Sequence, residues 1–226
     1  MSKRTVIFDL DGTLADTSGD LIAAANACFR VLGHGDLLDP VADAATAFRG
    51  GRAMLRLGFT RLGAGKGVEV EAEVDREFPN LLAAYEADID RHTVLYPGCV
   101  AAVERLRGAG YAVGICTNKP EGLAETLMTR LGVRDLFASL VGADTLPTRK
   151  PDPAPYVAAV ERAGGVVSRS VLIGDTETDR NTSRAVGVPS VLVTFGPDGR
   201  GVEALAPEAL LDHYDDLDWV VRGLIG

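Results

Sequence analysis

The chain has 226 residues, enough for one large domain or for a core domain with a smaller insertion, and enough to bury a hydrophobic core. Hydrophobic residues at 46% and charged residues at 24% are ordinary for a globular protein and exclude a disordered or fibrous architecture. The formal net charge of -9 argues against a nucleic-acid surface and disfavours anionic membranes, but permits a small anionic substrate at a locally positive site. No apolar run reaches membrane-spanning length and the N-terminus enters strand-like sequence directly, so a cytoplasmic location is expected. Cys28, Cys99 and Cys116 stand far apart among small apolar residues and read as buried thiols of a reducing compartment.

The first predicted element is a strand, Val6-Ile7-Phe8, running into Asp9-Leu10-Asp11-Gly12-Thr13. Strand side chains alternate, so Asp9 and Asp11 project toward the same side near the strand's end. Two carboxylates in one small space favour protonating one or neutralising both with a cation, and so allow a nucleophile and a proton donor from one residue type. Gly12 permits a sharp turn and close approach to a ligand.

Residues 16–93 contain no convincing strand and read as an inserted helical domain, with 1–15 and 94–226 forming the core. Leu21, Ile22, Ala25, Phe29 and Leu32 give one apolar helical face. Leu81, Leu82, Tyr85 and Ile89 give another after Pro79, and Gly63 to Gly67 marks a flexible connection between them. Between these helices Phe48-Arg49-Gly50-Gly51-Arg52 reads either as a surface turn or as a loop in which Arg49, Gly50, Gly51 and Arg52 meet a substrate carboxylate or hydroxyl.

Further strands are expected at Tyr111–Cys116, Phe137–Val141, Val171–Ile173 and Ser190–Val193, separated by helical patterns such as Val100/Val103/Leu106 and Leu123/Leu127/Leu131. Their alternation implies right-handed crossovers, and hence an α/β class with a doubly wound, Rossmann-like parallel sheet. Ligands bind such sheets beyond the carboxyl ends of the strands. There the sequence places Asp9 and Asp11, then Thr117, Asn118 and Lys119, then Arg149-Lys150-Pro151-Asp152-Pro153, then Gly174, Asp175 and Asp179. Asp179 also suits a helix-capping role in Thr176-Glu177-Thr178-Asp179. His34, His92 and His213 are isolated and read as surface or linker residues, and Trp219 reads as a packing anchor. Asp212, Asp215, Asp216 and Asp218 read as a solvated helix end far from the strand ends.

In order and spacing, these four elements resemble the four motifs of the haloacid dehalogenase-like superfamily of phosphatases. The resemblance implies that Asp9 attacks phosphorus to form an aspartyl-phosphate, and that Asp11 protonates the leaving oxygen and later deprotonates water. It gives Thr117 a hydrogen bond to the phosphoryl group, with Asn118 beside it, and gives Lys150 the charge that holds the phosphoryl group and the nucleophile. Magnesium would be held by Asp9, Asp175 and the main-chain carbonyl of Asp11, with Asp179 orienting the metal shell. A phosphate monoester of charge roughly -1.5 to -2 would be repelled by these carboxylates without a cation. Oxygen-only ligands suit magnesium, and the few histidines give no sign of zinc.

The insertion just after the first motif resembles the small helical cap of the phosphoglycolate phosphatase and beta-phosphoglucomutase branch, which implies a cap that closes over the core and reads the leaving group. The motifs resemble phosphoglycolate phosphatases most closely, implying hydrolysis of 2-phosphoglycolate by a monomer or homodimer. Alternatives are a sugar-phosphate phosphatase or a beta-phosphoglucomutase-like phosphotransferase, whose sequences commonly carry Val where this chain has Thr13. Dehalogenases lack an aspartate equivalent to Asp11. A phosphoryl-accepting signalling receiver is the non-enzyme alternative, but receivers place their acidic pair and phosphoacceptor on different strands.

Overall fold

The computed structural model describes residues 3–63 and 68–226. The expected connection at Gly63 to Gly67 therefore lies, beyond Gly63, outside the described residues. The chain divides into two compact units, Met1–Asp16 with Leu95–Gly226, and Thr17–Val94. The first unit begins with β1 (Lys3–Phe8), whose last four residues are fully enclosed, and the chain leaves it through the short β2 (Ala15–Asp16).

The second unit is helical. In it, α1 (Ser18–Val31) buries Leu21, Ile22, Ala25, Cys28 and Phe29 along one face. A single turn, α2 (Ala44–Ala47), precedes α3 (Gly51–Arg61), and α4 (Val68–Ala87) packs on both α1 and α3. Phe29 meets Phe59 edge-on with ring centroids 5.3 Å apart. The Phe29 ring also lies on Gly58, where a Cβ would come within 2.1 Å of it, so a residue that costs a helix interior about 1 kcal/mol is required by the close approach. Asp20 ties the two ends of the unit together: its buried carboxylate accepts the His92 N–H, the Thr93 N–H and the Thr93 hydroxyl, each at 2.8 Å.

One expectation is corrected here. The fourth helix does not start after Pro79 but runs through it. Proline forfeits one backbone hydrogen bond and crowds the carbonyl one turn back, at a cost of about 3 kcal/mol. The buried stripe Val70, Val74, Leu81 and Tyr85 continues on one face across the proline and offsets that cost, since each such side chain contributes about 1.5–3 kcal/mol.

The chain re-enters the first unit through β3 (Val94–Leu95) and then alternates helix and strand: α5 (Cys99–Gly108), β4 (Ala112–Cys116), α6 (Glu121–Arg130), β5 (Ser139–Val141), α7 (Pro153–Arg162), β6 (Gly165–Gly174), α8 (Glu177–Val186), β7 (Ser190–Val193), β8 (Ala209–Leu211) and α9 (Leu217–Ile225). The result is a six-stranded sheet in the order β5-β4-β1-β6-β7-β8 with every neighbouring pair parallel. This is the expected doubly wound α/β sheet. Strands such as Ala112–Cys116 and Ser190–Val193 are buried at every position because helices cover both faces.

The C-terminal region departs from the sequence reading. The edge strand Ala209–Leu211 carries only three residues and gave no recognisable run, so Asp212 lies directly after a strand end rather than far from one. It accepts from Thr194 Oγ1 at 2.5 Å and pairs with Arg200 Nη1 at 2.7 Å, at the sheet's edge. Trp219 is no packing anchor: it is 79% exposed, because α9 buries Leu217, Val220 and Val221 and the tryptophan points off the opposite face.

Candidate active site

The strand order reverses at β1, which lies between β4 and β6, so the loops following these three strands converge. Asp9 continues the ladder one residue past β1, its N–H donating to the Ile173 carbonyl at 2.8 Å. Its Oδ1 lies 2.9 Å from Lys150 Nζ, which donates on its other side to Asp179 Oδ1 at 2.7 Å. All three side chains are buried.

Burial sets the electrostatics of this group. Burial pushes the Asp9 carboxyl up to about 6, opposed by Lys150 and reinforced by the Asp179 and Asp11 charges. Asp175 is pushed well above the usual carboxylate range by burial, then by Asp179 and Asp9, against the Thr13 hydrogen bond and Lys150. Burial alone would lower Lys150, but Asp179 and Asp9 outweigh it and the ammonium is held firmly protonated.

Asp179 serves two ends at once. Its Oδ2 accepts from Thr176 N at 3.2 Å and Thr176 Oγ1 at 2.9 Å, fixing the start of α8, while Oδ1 faces Lys150. Carboxylate oxygens of Asp9, Asp175 and Asp179 all lie within 4.8 Å of one another. Among the described residues, Oδ2 of Asp175 is buried without a hydrogen-bond partner. Three enclosed carboxylates beside one ammonium, with an orphaned hard oxygen among them, suit an oxygen-seeking divalent cation.

Asp11 projects elsewhere: its carboxylate pairs with Lys119 Nζ at 2.9 and 3.2 Å. The sequence places Lys119 at a strand end but assigns its side chain no role, and the partnership, 108 residues apart, leaves no mark in local sequence. Lys119 N in turn donates to Thr117 Oγ1 at 3.1 Å, so Thr117 is held at the end of β4. Asn118 is exposed and its Nδ2 donates to the Lys150 carbonyl at 3.0 Å, joining the loop after β4 to the Lys150 segment. Thr13, which the sequence places in the first motif without a hydrogen-bonding role, donates its hydroxyl to Asp175 Oδ1 at 2.8 Å. Gly12 is required beside it: its φ is +80° and a Cβ there would fall 2.2 Å from Asp175 Oδ2.

In the helical unit, Gly50 adopts a φ of 93° before α3, whereas Gly51 and Arg52 form the helix's first turn instead of a loop. Arg52 pairs with Asp75 and lies 4.5 Å over the Phe78 ring. Arg49 is exposed. Among the described arginines of this unit it alone has no acidic partner, Arg30, Arg52, Arg56, Arg61, Arg76 and Arg91 each having one.

The family model for haloacid dehalogenase-like hydrolases matches residues 6–193, and the chain belongs to that family. It is 36% identical over 219 residues to a phosphoglycolate phosphatase of Mesorhizobium japonicum, covering 96% of this chain and 94% of the relative. It is also 36% identical over 222 residues to a phosphoglycolate phosphatase of Cereibacter sphaeroides, covering 97% and 98%. Among solved structures, a HAD-superfamily hydrolase of subfamily IA, variant 1, from Geobacter sulfurreducens superposes with a TM-score of 0.73 over 97% of this chain and 96% of that one at 21% identity, a likeness of fold.

Proposed function

We propose that the chain is a magnesium-dependent phosphate monoester hydrolase acting on 2-phosphoglycolate through an aspartyl-phosphate. The observation that carries this reading is the buried Asp9 at the end of the central strand, held by Lys150 beside the orphaned oxygen of Asp175, in a chain of the hydrolase family. The substrate is taken from the two relatives named as phosphoglycolate phosphatases.

An Asp9 carboxylate oxygen forms a bond to phosphorus as the ester oxygen departs, and Asp11 gives that oxygen its proton. Asp11 then removes a proton from the water that attacks the acyl phosphate, which frees inorganic phosphate and restores Asp9. Lys150 and the Thr117 hydroxyl hold the phosphoryl oxygens, with Asn118 at their side. Asp9, Asp175 and the main-chain carbonyl of Asp11, with Asp179 nearby, would hold the magnesium, which when bound neutralises carboxylate and phosphoryl charge. The 17–94 unit serves as the cap, and Arg49, rather than the already paired Arg52, reads the substrate carboxylate.

The partner is accordingly a small phosphorylated metabolite, met in the cytoplasm by a monomer or homodimer. Three buried free thiols support a reducing compartment, and among the described residues no helix is long and apolar enough to cross a membrane. The receiver reading is set aside because Asp9 and Asp11 follow the same strand.

The test is phosphate release from 2-phosphoglycolate and a panel of sugar phosphates with magnesium. Asp9→Asn should lose turnover by about a thousandfold or more, and retention of most activity would remove Asp9 from its role. A preference for sugar phosphates would leave the mechanism standing and move the substrate. Arg49→Ala should raise KM for 2-phosphoglycolate roughly tenfold or more while sparing p-nitrophenyl phosphate, which carries no carboxylate, and Arg52→Ala should do less.

A further inference from the structure

We propose that Tyr214 and Thr13 form a hydrogen-bond relay that fixes which oxygen of Asp175 is presented to the cation, making Tyr214 a positioning residue. The inference rests on the metal-dependent phosphatase reading above. Tyr214 is fully buried in the short turn between β8 and α9, remote in sequence from every motif. Its hydroxyl donates to the Thr13 carbonyl at 2.7 Å, and the Thr13 hydroxyl donates to Asp175 Oδ1 at 2.8 Å.

A phenylalanine would fill the Tyr214 site equally well, and an unpaired phenol there would cost about 1–3 kcal/mol, so the hydroxyl is tied to its acceptor. The ring has little freedom. It lies 5.2 Å from the Phe195 ring, which lies 5.0 Å from that of Tyr96, and Arg105 Nη2 holds the Tyr214 carbonyl at 3.0 Å. The carbonyl it meets belongs to the loop that carries Asp11 and Gly12, so holding it orients the Thr13 hydroxyl toward Asp175.

Asp175 is confined from the other side as well. A Cβ on Gly12 would collide with Oδ2, and a Cβ on Gly196 would come within 3.1 Å of the Asp175 Cβ. With Oδ1 occupied by Thr13, the oxygen left over is Oδ2, the one without a hydrogen-bond partner. The relay thereby selects Oδ2 as the metal-facing atom and prevents the carboxylate from exchanging its oxygens. Supporting partners of this kind typically change metal affinity by about 10–100-fold when removed.

The experiment is calorimetric titration of magnesium into substrate-free protein, with kcat measured at saturating magnesium. Thr13→Val should weaken magnesium binding about tenfold and Tyr214→Phe severalfold, while Thr13→Ser, which restores the hydroxyl, stays near wild type. The double variant should bind no worse than Thr13→Val, because Tyr214 acts through Thr13. For each variant, kcat should recover at saturating magnesium. Unchanged magnesium affinity in both single variants, or fully additive losses in the double, would overturn the relay. Absence of magnesium binding by the wild type would instead overturn the metal-dependent reading beneath it.

Discussion

The two units use the same ionic residue types in opposite ways. In the helical unit, Arg56 pairs with Glu71 and Arg52 with Asp75 across facing helices, and every member of these pairs is about half exposed or more. In the core, Lys150, Asp9 and Asp179 are enclosed together, and Asp175 beside them has no cation in hydrogen-bond contact. Water screens the first set, so its pairs contribute little and can be rearranged freely. The second set has lost its water, so each charge depends on the others, and the cost of assembling them is retained in the folded state, as the proposed phosphatase chemistry would use it.

The sharpest way to break this contrast is to remove one cation from each unit. Lys150→Met leaves Asp9 and Asp179 buried without a counter-charge and should cost about 3–5 kcal/mol at neutral pH. It should also lower turnover by about a hundredfold or more, measured by chemical denaturation beside phosphate release. Arg56→Met, which breaks an exposed pair, should leave the melting temperature within about 2 °C of wild type. Equal losses in the two variants would erase the distinction.

A second test uses pH in magnesium-free protein. Asp9 in the folded state releases its proton near 6, against about 3.8 for the free side chain, so between these values the folded chain keeps a proton the unfolded chain has lost. Stability from this group is therefore full below pH 4 and declines as pH rises through 6, by up to about 3 kcal/mol. Asp9→Asn removes the effect, so its melting temperature should gain on wild type as pH is raised from 4 to 7. A constant difference would mean that Asp9 is not desolvated. A further test lies in the helical unit: Pro79→Ala restores a helical hydrogen bond and should raise the melting temperature by a few degrees, with turnover nearly unchanged.

The sheet and most residues of the candidate site were legible because both are written in short-range pattern. Apolar runs of four to six residues mark the inner strands, and Asp9, Thr117 and Asp175 each follow such a run directly. The rest was hidden for identifiable reasons. The edge strand Ala209–Leu211 is too short to show a period, and Pro79 hid a helix that packing carries through it. Trp219 has the composition of an anchor but stands on the wrong side of its helix. The pairing of Asp11 with Lys119, and the hydrogen bonds from Thr13 to Asp175 and from Tyr214 to Thr13, join residues 108 to 201 positions apart. Nothing in a sequence window encodes such partnerships; they follow from the order of the strands.

That order also governs when the site comes into existence as the chain is made. The central strand β1 is made before any of its neighbours in the sheet, yet its partners are Ala112–Ile115 on one side and Ser170–Ile173 on the other. The helical unit, Thr17–Val94, is complete in the meantime and can fold on the way. The strand that leads to Asp9 must therefore wait, apolar and unpaired, behind the insertion until β4 and β6 have been made. Tyr214 reaches Thr13 only after 201 further residues have been made. Lys150, Asp175 and Asp179 likewise join Asp9 only once their own segments have been made, and until then β1 stands as an apolar strand without its full set of partners.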